Sequence, residues 1–254
     1  MYRKGARIIV YTPGFVPFFV VFQLVLVAVR LVDWVVYRIR IVGREKLRRL
    51  DNAVIVSNHT LLLDPGIIAH AISPRRTYFT MLEETALIPY LGTFVRLLGA
   101  VPIPEGGASL RILDEAAHTA FRTLGLIHFF PEGELYRESQ ELQPFHPGAF
   151  LLACRRGVPV VPVTTVLHRR LWRGKPVLRL AGHTVRVPPR VTIVVGDPVV
   201  PCEEDRRSPG RAARRMAERV REQMQAAIDQ RGGSKEIARG LMPRLVKRPE
   251  RESA

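Results

Sequence analysis

Cysteine is scarce in this chain, where only Cys154 and Cys202 occur among 254 residues. Their separation lacks the short paired spacing of a zinc site, and two cysteines cannot build a disulfide scaffold. The sequence also has no glycine-rich phosphate loop, no Gly-x-Ser-x-Gly elbow and no internal repeat. These absences argue against nucleotide-loop proteins, elbow-type serine hydrolases and repeat proteins. They fit a reducing compartment, with no metal or cofactor required.

Acidic residues are also in deficit. The chain carries 23 Asp and Glu against 39 Lys and Arg, a net charge of +16. Such a charge favours an anionic partner: nucleic acid, an anionic membrane surface or a phosphate-bearing substrate. Nucleic acid is disfavoured, because the sequence has no reading motif and no interleaved aromatic platform. Residues 142–196 contain no acid at all, so a strongly basic surface is expected there, either for a ligand or as a solvated face. The cations of this acid-free stretch are Arg155, Arg156, Arg169, Arg170, Arg173, Lys175, Arg179, Arg186 and Arg190.

The N-terminal region is strongly apolar. Between Arg7 and Arg30 lie 22 uncharged residues, of which fifteen are Val, Ile, Leu or Phe. On the insertion scale these contribute roughly −4 to −9 kcal/mol, which favours the membrane. Pro13, Gly14 and Pro17 interrupt the run and both flanks are basic, so a span and a helical pair that dips into one leaflet both remain open. A buried core helix is the soluble alternative. We expect a membrane-associated segment at residues 1–37, with the remaining chain on the cytoplasmic side of the cell membrane.

Apolar runs and helical patterns alternate along the rest of the chain. Residues 53–56, 125–130 and 158–166 predict buried strands, whereas residues 65–72 and 108–124 predict helices. Another amphipathic helix begins at Ser208-Pro209. This order predicts an α/β domain at residues 38–230: a mixed, largely buried sheet flanked by helices, preceded by a membrane-embedded helical segment. Residues 231–254 are polar, basic and aperiodic, and predict a disordered tail.

The stretch VSNHTLLLDPG, residues 56–66, places His59 and Asp64 five residues apart. On one helix this offset separates two side chains by about 140°, and on one strand it puts them on opposite faces. A strand that ends, turns and enters a helix can bring the two together at the carboxyl edge of a sheet, where open α/β folds build their sites. The alternative is that Asp64 only caps the helix, with Pro65 as its first residue, and that His59 is only a loop residue.

From about residue 38 to residue 200, the sequence resembles the glycerolipid acyltransferases, the family of 1-acylglycerol-3-phosphate acyltransferases. NHTLLLD at residues 58–64 resembles the family's first block, histidine, four residues, aspartate. FPEG at 130–133 resembles the third block, and GVPVVPV at 157–163 the fourth. PFHPGAFLLA at 144–153 is similar to the stretch between them. Three blocks in order are more specific than any one alone.

The resemblance implies acyl transfer from a thioester, acyl-CoA or acyl carrier protein, to the hydroxyl of a lysophospholipid or related lipid. A neutral imidazole suits removal of the hydroxyl proton, so His59 is the predicted base. Asp64 would accept from its Nδ1–H and stabilise the imidazolium, without an acyl-enzyme. The family's third block helps to hold the acceptor, and Glu132 and Gly133 inherit that role. Asn58 is a further substrate-binding candidate. Loss of catalysis in a lipid-binding protein is the alternative from another class.

The sequence departs from the family where arginines are taken to clamp the acceptor's phosphate. Glu105 stands at the arginine position of the second block, and Glu134 and Leu135 replace the threonine and arginine of the third. A charge-assisted hydrogen bond contributes roughly 1.5–3 kcal/mol, so losing two predicts about 10²- to 10⁴-fold weaker selectivity for a phosphomonoester. The alternative acceptor is therefore a lipid with a zwitterionic, amine-bearing or neutral head group. Arg137 is the predicted replacement, and an ordinary lysophosphatidic acid acyltransferase with relocated arginines remains open. Other candidates for the clamp are Arg96 and Arg111.

Overall fold

The computed structural model of the protein describes residues 16–242, apart from residues 91, 93, 94, 97, 104–108, 171–176, 181, 182, 203, 204 and 206. The strands of this part are β1 (Arg40–Val42), β2 (Ala53–Ser57), β3 (Tyr78–Leu82), β4 (Ala100–Ile103), β5 (Leu126–Phe129), β6 (Tyr136–Arg137), β7 (Val160–His168), β8 (Val177–Leu180), β9 (His183–Arg186), β10 (Arg190–Val195) and β11 (Gly240–Leu241). The helices are α1 (Val16–Val32) with a π-helical turn (Asp33–Tyr37) after it, α2 (Glu45–Arg48), α3 (Asp64–Ile72), α4 (Glu83–Ala86), α5 (Ser109–Thr123), α6 (Gly148–Arg156), α7 (Pro209–Gln230) and a 3₁₀ turn (Lys235–Ile237).

A seven-stranded sheet in the order β1-β10-β7-β2-β5-β3-β4 organises the molecule. Every neighbouring pair is parallel except β7 and β10, which are antiparallel. All residues of β2 and β5 are buried, as expected for central strands covered on both faces, and this explains their continuous apolar sequences. The predicted mixed α/β fold with a largely buried sheet is confirmed.

Helices cover both faces of this sheet. The crossover through α3 runs from β2 towards β3, whereas the crossover through α5 returns from β4 towards β5. Because such crossovers are right-handed, opposite directions place their helices on opposite faces. The contacts agree: α5 touches α6 and α6 touches α7 on one face, while α1 packs on α3. The predicted apolar positions of α7, among them Met216, Val220 and Met224, are buried, so this helix packs on the core.

The predicted membrane-embedded N-terminal helix finds no support in the described residues. Residues 1–15 lie outside the described residues, and within the part the structure describes no helix has the length and apolar character needed to cross a bilayer. Helix α1 buries Leu26, but a series of apolar side chains along it and the π-helical turn stays exposed. This series, called the α1 stripe below, comprises Val20, Leu24, Val27, Leu31 and Val35.

The predicted disordered tail is corrected for its first part. Residues 232–242 are described and packed: Ile237 is buried in the core, and the N–H of Ser234 donates to the carbonyl of Leu167. Strand β11 pairs antiparallel with β6, and the N–H of Met242 donates to the carbonyl of Leu135. Besides these side-chain contacts, backbone hydrogen bonds, which leave no side-chain pattern in the sequence, hold this segment. Residues 243–254 lie outside the described part.

Candidate active site

The turn from β2 into α3 brings His59 and Asp64 together. His59 Nδ1 and Asp64 Oδ2 are 3.0 Å apart, within hydrogen-bonding distance. Since a carboxylate can only accept, Nδ1 carries the proton and Nε2 is the nitrogen left for a substrate. The carboxyl group is fully buried, whereas the His59 side chain is 21% exposed. The pair therefore combines a fixed acceptor with an accessible imidazole.

Asp64 holds the whole turn, which corrects its interpretation as an N-cap. It is the first residue of α3, while Leu63 occupies the cap position. Its Oδ2 accepts from the N–H groups of Thr60 at 2.6 Å and Leu61 at 2.8 Å, residues that precede the helix. Three N–H donors thus converge on one oxygen. The carboxylate shapes the loop that carries His59 and orients its ring, and the purely capping interpretation fails.

Phe130 supports the His59 ring from one side. The two rings are stacked, with centroids 4.0 Å apart and planes at 18°. Phe130 also meets the imidazole of His128 edge-on, with ring centroids 4.5 Å apart. Phe130 follows β5, which is parallel to β2, so both rings project from the same carboxyl edge of the sheet. The sequence resemblance placed Phe130 in the third block without assigning it a role.

His128 was not anticipated from the sequence. It is fully buried in β5, and its Nε2 lies 2.7 Å from Ser57 Oγ at the end of β2. Burial lowers the pKa of His128 to about 3, and the charge of His59 acts in the same direction. His128 is therefore neutral near pH 7, so it adds no second positive charge behind the His59 imidazolium. A histidine inside an otherwise apolar strand was the only available signal.

Glu132 ties two loops together beneath the site. Its Oε1 accepts from the N–H of His59 at 3.0 Å and its Oε2 from the N–H of Gln143 at 3.1 Å. The residue is 5% exposed. Burial raises the pKa of Glu132 to about 7, although the N–H groups of Gln143 and His59 act in the opposite direction. Both oxygens are occupied by backbone donors, so Glu132 fixes the position of His59 in this structure.

Gly133 completes the turn after Glu132. Its φ is 74°, and a Cβ there would lie 3.0 Å from His146 Cδ2. The N–H of Gly133 donates to the carbonyl of Phe130, closing a tight turn. Any other residue would be strained in this conformation and crowded by His146. The glycine is therefore required to place Glu132.

We expect Glu132→Gln to flatten the pH dependence of stability between about pH 4.5 and 7. With the pKa of Glu132 raised from 4.5 to about 7, the folded protein keeps a proton that the unfolded chain has released. This contribution to the free energy of unfolding is fully present below pH 4.5 and lost as the pH rises through 7. It amounts to about 3 kcal/mol, at 1.36 kcal/mol per pKa unit.

The measurement is chemical unfolding of wild type and Glu132→Gln at a series of pH values. Glutamine has one acceptor oxygen for two N–H donors, so the variant should also lose activity. Glu141→Gln, an exposed carboxyl in the next loop, is the matched control and should leave the pH slope unchanged. Parallel pH profiles for wild type and Glu132→Gln would contradict the raised pKa.

Asn58 has a structural role, which corrects its assignment to substrate binding. Its Nδ2 donates to the carbonyl of Thr165 at 3.0 Å, and its Oδ1 accepts from the N–H of Thr165 at 2.8 Å. The residue is buried. Both polar groups are used to join the loop after β2 to β7, and the side chain is too deeply buried to meet a ligand. The motif position did not reveal which way the side chain points.

Arg137 lies at the edge of the site. It belongs to β6, where the N–H of the preceding Tyr136 donates to the carbonyl of His59. The side chain is exposed and has no ion-pair partner among the residues whose side chains are described. Glu138, in contrast, is held between Arg186 at 3.5 Å and Arg239 at 3.3 Å. Arg111 is exposed on α5 and Arg96 is half-buried, whereas Glu105 lies outside the described residues.

A family model described as Acyltransferase matches residues 38–166 of the chain, which include both the His59–Asp64 turn and Glu132. The chain belongs to this acyltransferase family. The predicted resemblance to the glycerolipid acyltransferases is confirmed, and membership of the family supports the prediction of an acyltransferase-type enzyme.

The names of similar curated proteins agree with the family assignment. A chloroplastic 1-acyl-sn-glycerol-3-phosphate acyltransferase of Brassica napus, BAT2, is 33% identical over 132 residues, covering 50% of this chain and 37% of the relative. The 1-acyl-sn-glycerol-3-phosphate acyltransferase of Chlamydomonas reinhardtii is 32% identical over 165 residues, covering 63% of this chain and 46% of the relative. This chain therefore spans less than half the length of these two curated relatives.

A solved structure shares the fold. The crystal structure of the 1-acyl-sn-glycerophosphate (LPA) acyltransferase PlsC from Thermotoga maritima matches with a TM-score of 0.59 and 21% identity. The match covers 85% of this chain and 82% of the other chain. At this identity the likeness concerns the mixed α/β architecture.

Proposed function

We propose that the protein transfers a fatty acyl group from an acyl thioester to the free hydroxyl of a lysophospholipid. The observation that carries this proposal is the hydrogen bond between His59 and the buried Asp64. It leaves the accessible Nε2 of His59 as a base at the carboxyl edge of the sheet. The family of the chain supports the reaction class, and the names of its relatives support a glycerolipid acceptor.

In the proposed reaction, the lipid hydroxyl oxygen attacks the thioester carbonyl while His59 Nε2 takes the hydroxyl proton. The imidazolium that forms is stabilised by Asp64, whose Oδ2 already accepts from Nδ1. Collapse of the tetrahedral intermediate breaks the carbon–sulfur bond, and the departing sulfur receives the proton from Nε2. The ester bond forms, the thiol leaves and His59 returns to its neutral form. No acyl-enzyme and no cofactor are needed.

We propose that the donor is an anionic acyl thioester, acyl-CoA or acyl carrier protein. The acid-free stretch at residues 142–196 supports this, although acids from elsewhere pair with part of it. Arg156 bonds Asp114 at 2.8 Å, and Arg169 bonds Glu236 at 2.6 Å. Arg170 donates to a backbone carbonyl, that of Val36, and no described acid pairs with it. We expect the donor to be attracted by those cations of the stretch that have no acidic partner among the described residues.

The acceptor's head group is proposed from the altered arginine positions. We expect wild type to acylate zwitterionic or amine-bearing lysophospholipids within about tenfold of lysophosphatidic acid in kcat/KM, because two phosphate-binding cations of the family pattern are missing. Glu105→Arg should raise the preference for lysophosphatidic acid about 10- to 100-fold, the effect of one charge-assisted hydrogen bond. Arg137→Ala should lower turnover of lysophosphatidic acid selectively.

An acceptor panel with one labelled acyl-CoA tests both the reaction and this preference. Arg219→Ala, an exposed arginine on α7, controls for loss of one charge. No labelled lipid product with any lysolipid would refute acyl transfer itself. A strong wild-type preference for lysophosphatidic acid that Glu105→Arg does not improve and Arg137→Ala abolishes would show that the clamp has moved rather than weakened.

Membrane association on the cytoplasmic face of the cell membrane is part of the proposal. The α1 stripe supports it: five apolar side chains on α1 and the following turn face solvent, as an interfacial helix would require. Trp34 beside it is 76% exposed, and tryptophan is enriched at membrane interfaces. The free cysteines Cys154 and Cys202 fit a reducing compartment. Flotation with vesicles tests the contribution of the α1 stripe to membrane binding.

A further inference from the structure

A second candidate binding site lies away from the active site, where α1 ends beside α3. It is an open cavity of about 640 Å³, lined by Arg30, Trp34, Val35, Arg38, Ile39 and His70. His70 lies in the last turn of α3, whereas Asp64 begins that helix. Six residues separate Asp64 from His70, which is about 9 Å along the helix axis. The cavity is therefore distinct from the acceptor site at His59.

Two arginines at this cavity are available to an anion. Arg30 is exposed and is held in place by a 3.0 Å hydrogen bond from its guanidinium to Ser73 Oγ, just after α3. Arg38 is exposed and has a φ of 47°, a conformation that glycine would adopt without strain. Neither arginine has an ion-pair partner among the residues whose side chains are described. A guanidinium offers several N–H donors in a planar fork that matches phosphate oxygens.

Further cations surround the cavity and raise its positive potential. Arg44 donates to the carbonyls of Ala71 and His70 at the end of α3, so its own hydrogen bonds are used within the protein. Burial lowers the pKa of Arg44, and repulsion from Arg30 adds to the effect. Burial likewise lowers the pKa of Arg170, with repulsion from Arg38. A bound anion would relieve both repulsions.

The surroundings of the arginines indicate what kind of anion fits. The α1 stripe ends at Leu31 and Val35, and Val35 itself lines the cavity. Trp34 lies between Arg30 and Arg38 in sequence and lines the cavity with them. An apolar surface that leads to an exposed tryptophan and two arginines complements a lipid, whose acyl chains and phosphate are covalently joined. A free phosphate would use the arginines and leave the stripe uncovered.

We propose that this cavity binds the phosphate of an anionic glycerophospholipid head group in the membrane leaflet, while the α1 stripe contacts that lipid's acyl chains. The proposal rests on the membrane association proposed above and adds to it a specific head-group site. Such a site would fix the orientation of the protein on the leaflet. It would also make binding depend on phosphate lipids rather than on apolar contact alone.

The test is flotation of the full-length protein with three kinds of vesicle. One contains phosphatidylcholine alone, one adds 30 mole per cent phosphatidylglycerol, and one adds the same charge as a fatty acid without phosphate. We expect wild type to bind phosphatidylglycerol vesicles best. Arg30→Ala/Arg38→Ala should lose the gain given by phosphatidylglycerol, about tenfold or more in the partition coefficient, since each juxtamembrane cation contributes several-fold.

Three further variants identify the source of each loss. Arg214→Ala/Arg219→Ala removes the same charge from the exposed side of α7, which packs on the other face of the sheet, and should change binding less than twofold. Leu24→Ser/Leu31→Ser interrupts the α1 stripe and should weaken binding to all three vesicles alike. Substitution of Arg30 also removes its hydrogen bond to Ser73 Oγ. Arg38→Gln alone removes no described contact, and this variant should lose part of the gain in binding that phosphatidylglycerol gives.

The outcomes separate the alternatives. Equal losses in the Arg30/Arg38 and Arg214/Arg219 pairs, or equal binding to fatty-acid and phosphatidylglycerol vesicles, would overturn the head-group site. Release from phosphatidylglycerol vesicles by millimolar inorganic phosphate at constant ionic strength would assign the cavity to free phosphate instead. Flotation uses no thioester, so its outcome does not depend on acyl transfer. Absence of acyl transfer in the acceptor panel would refute the proposed function and leave the flotation comparison valid. Unchanged flotation of the Leu24/Leu31 variant would refute the proposed role of the stripe.

Discussion

His59→Ala is expected to lower kcat about 10²- to 10⁴-fold, the range that a positioned general base contributes. The reason is geometric: Asp64 occupies Nδ1, so Nε2 of His59 is the atom that takes the hydroxyl proton. The fold should survive, because the ring is partly exposed and the buried carboxylate still accepts from Thr60 and Leu61. Removal of the stacking contact with Phe130 should cost about 1 kcal/mol of stability.

Single-turnover acyl transfer from a labelled thioester, with thermal unfolding measured on the same samples, checks this expectation. His118→Ala removes an exposed histidine from α5 and serves as the matched control, with unchanged kcat. Retention of more than a few per cent of wild-type turnover by well-folded His59→Ala would mean that another group removes the proton.

Asp64→Asn should lower kcat about 10- to 100-fold, less than His59→Ala. The amide oxygen can still accept from the three N–H donors that converge on Oδ2, so the ring keeps its orientation. The negative charge that stabilises the imidazolium is lost, and a charge-assisted hydrogen bond contributes about 1.5–3 kcal/mol, which corresponds to roughly 10- to 100-fold in rate. The amide group of asparagine takes the place of Oδ1, which is buried without a partner in the described part of the chain. Its N–H groups would therefore be buried without an acceptor. We therefore also expect about 1–3 kcal/mol of lost stability.

Comparison of Asp64→Asn with Asp64→Ala separates orientation from charge. Alanine leaves the N–H groups of Thr60 and Leu61 without an acceptor, so its free energy of unfolding should fall further and its kcat should approach that of His59→Ala. Asp51→Asn, in an exposed turn before β2, is the control. Equal kcat in Asp64→Asn and wild type would show that the carboxylate only shapes the loop.

The position of Glu132 illustrates why part of the site could not be predicted. The third block suggested contact with the acceptor, yet both carboxyl oxygens accept backbone N–H groups, one of them from His59, 73 residues away in sequence. That contact exists because β2 and β5 are neighbours and end at the same edge of the sheet. A sequence pattern contains the residue types, but the direction of a side chain depends on packing from several elements. Asn58 was misassigned for the same reason.

The sequence by itself determined the α/β class, the place of His59 and Asp64 at a strand-to-helix turn, and the core face of α7. These features are local, because apolar periodicity and turn residues act over a few neighbouring positions. Tertiary structure alone decided that Phe130 stacks on His59, that a neutral His128 lies behind it, and that residues 232–242 pack on the core instead of forming a disordered tail. It also decided that Arg30, Trp34 and Arg38 line one cavity with His70. These contacts join segments far apart in the chain, and their geometry follows from the order of strands in the sheet and the packing of helices on its faces.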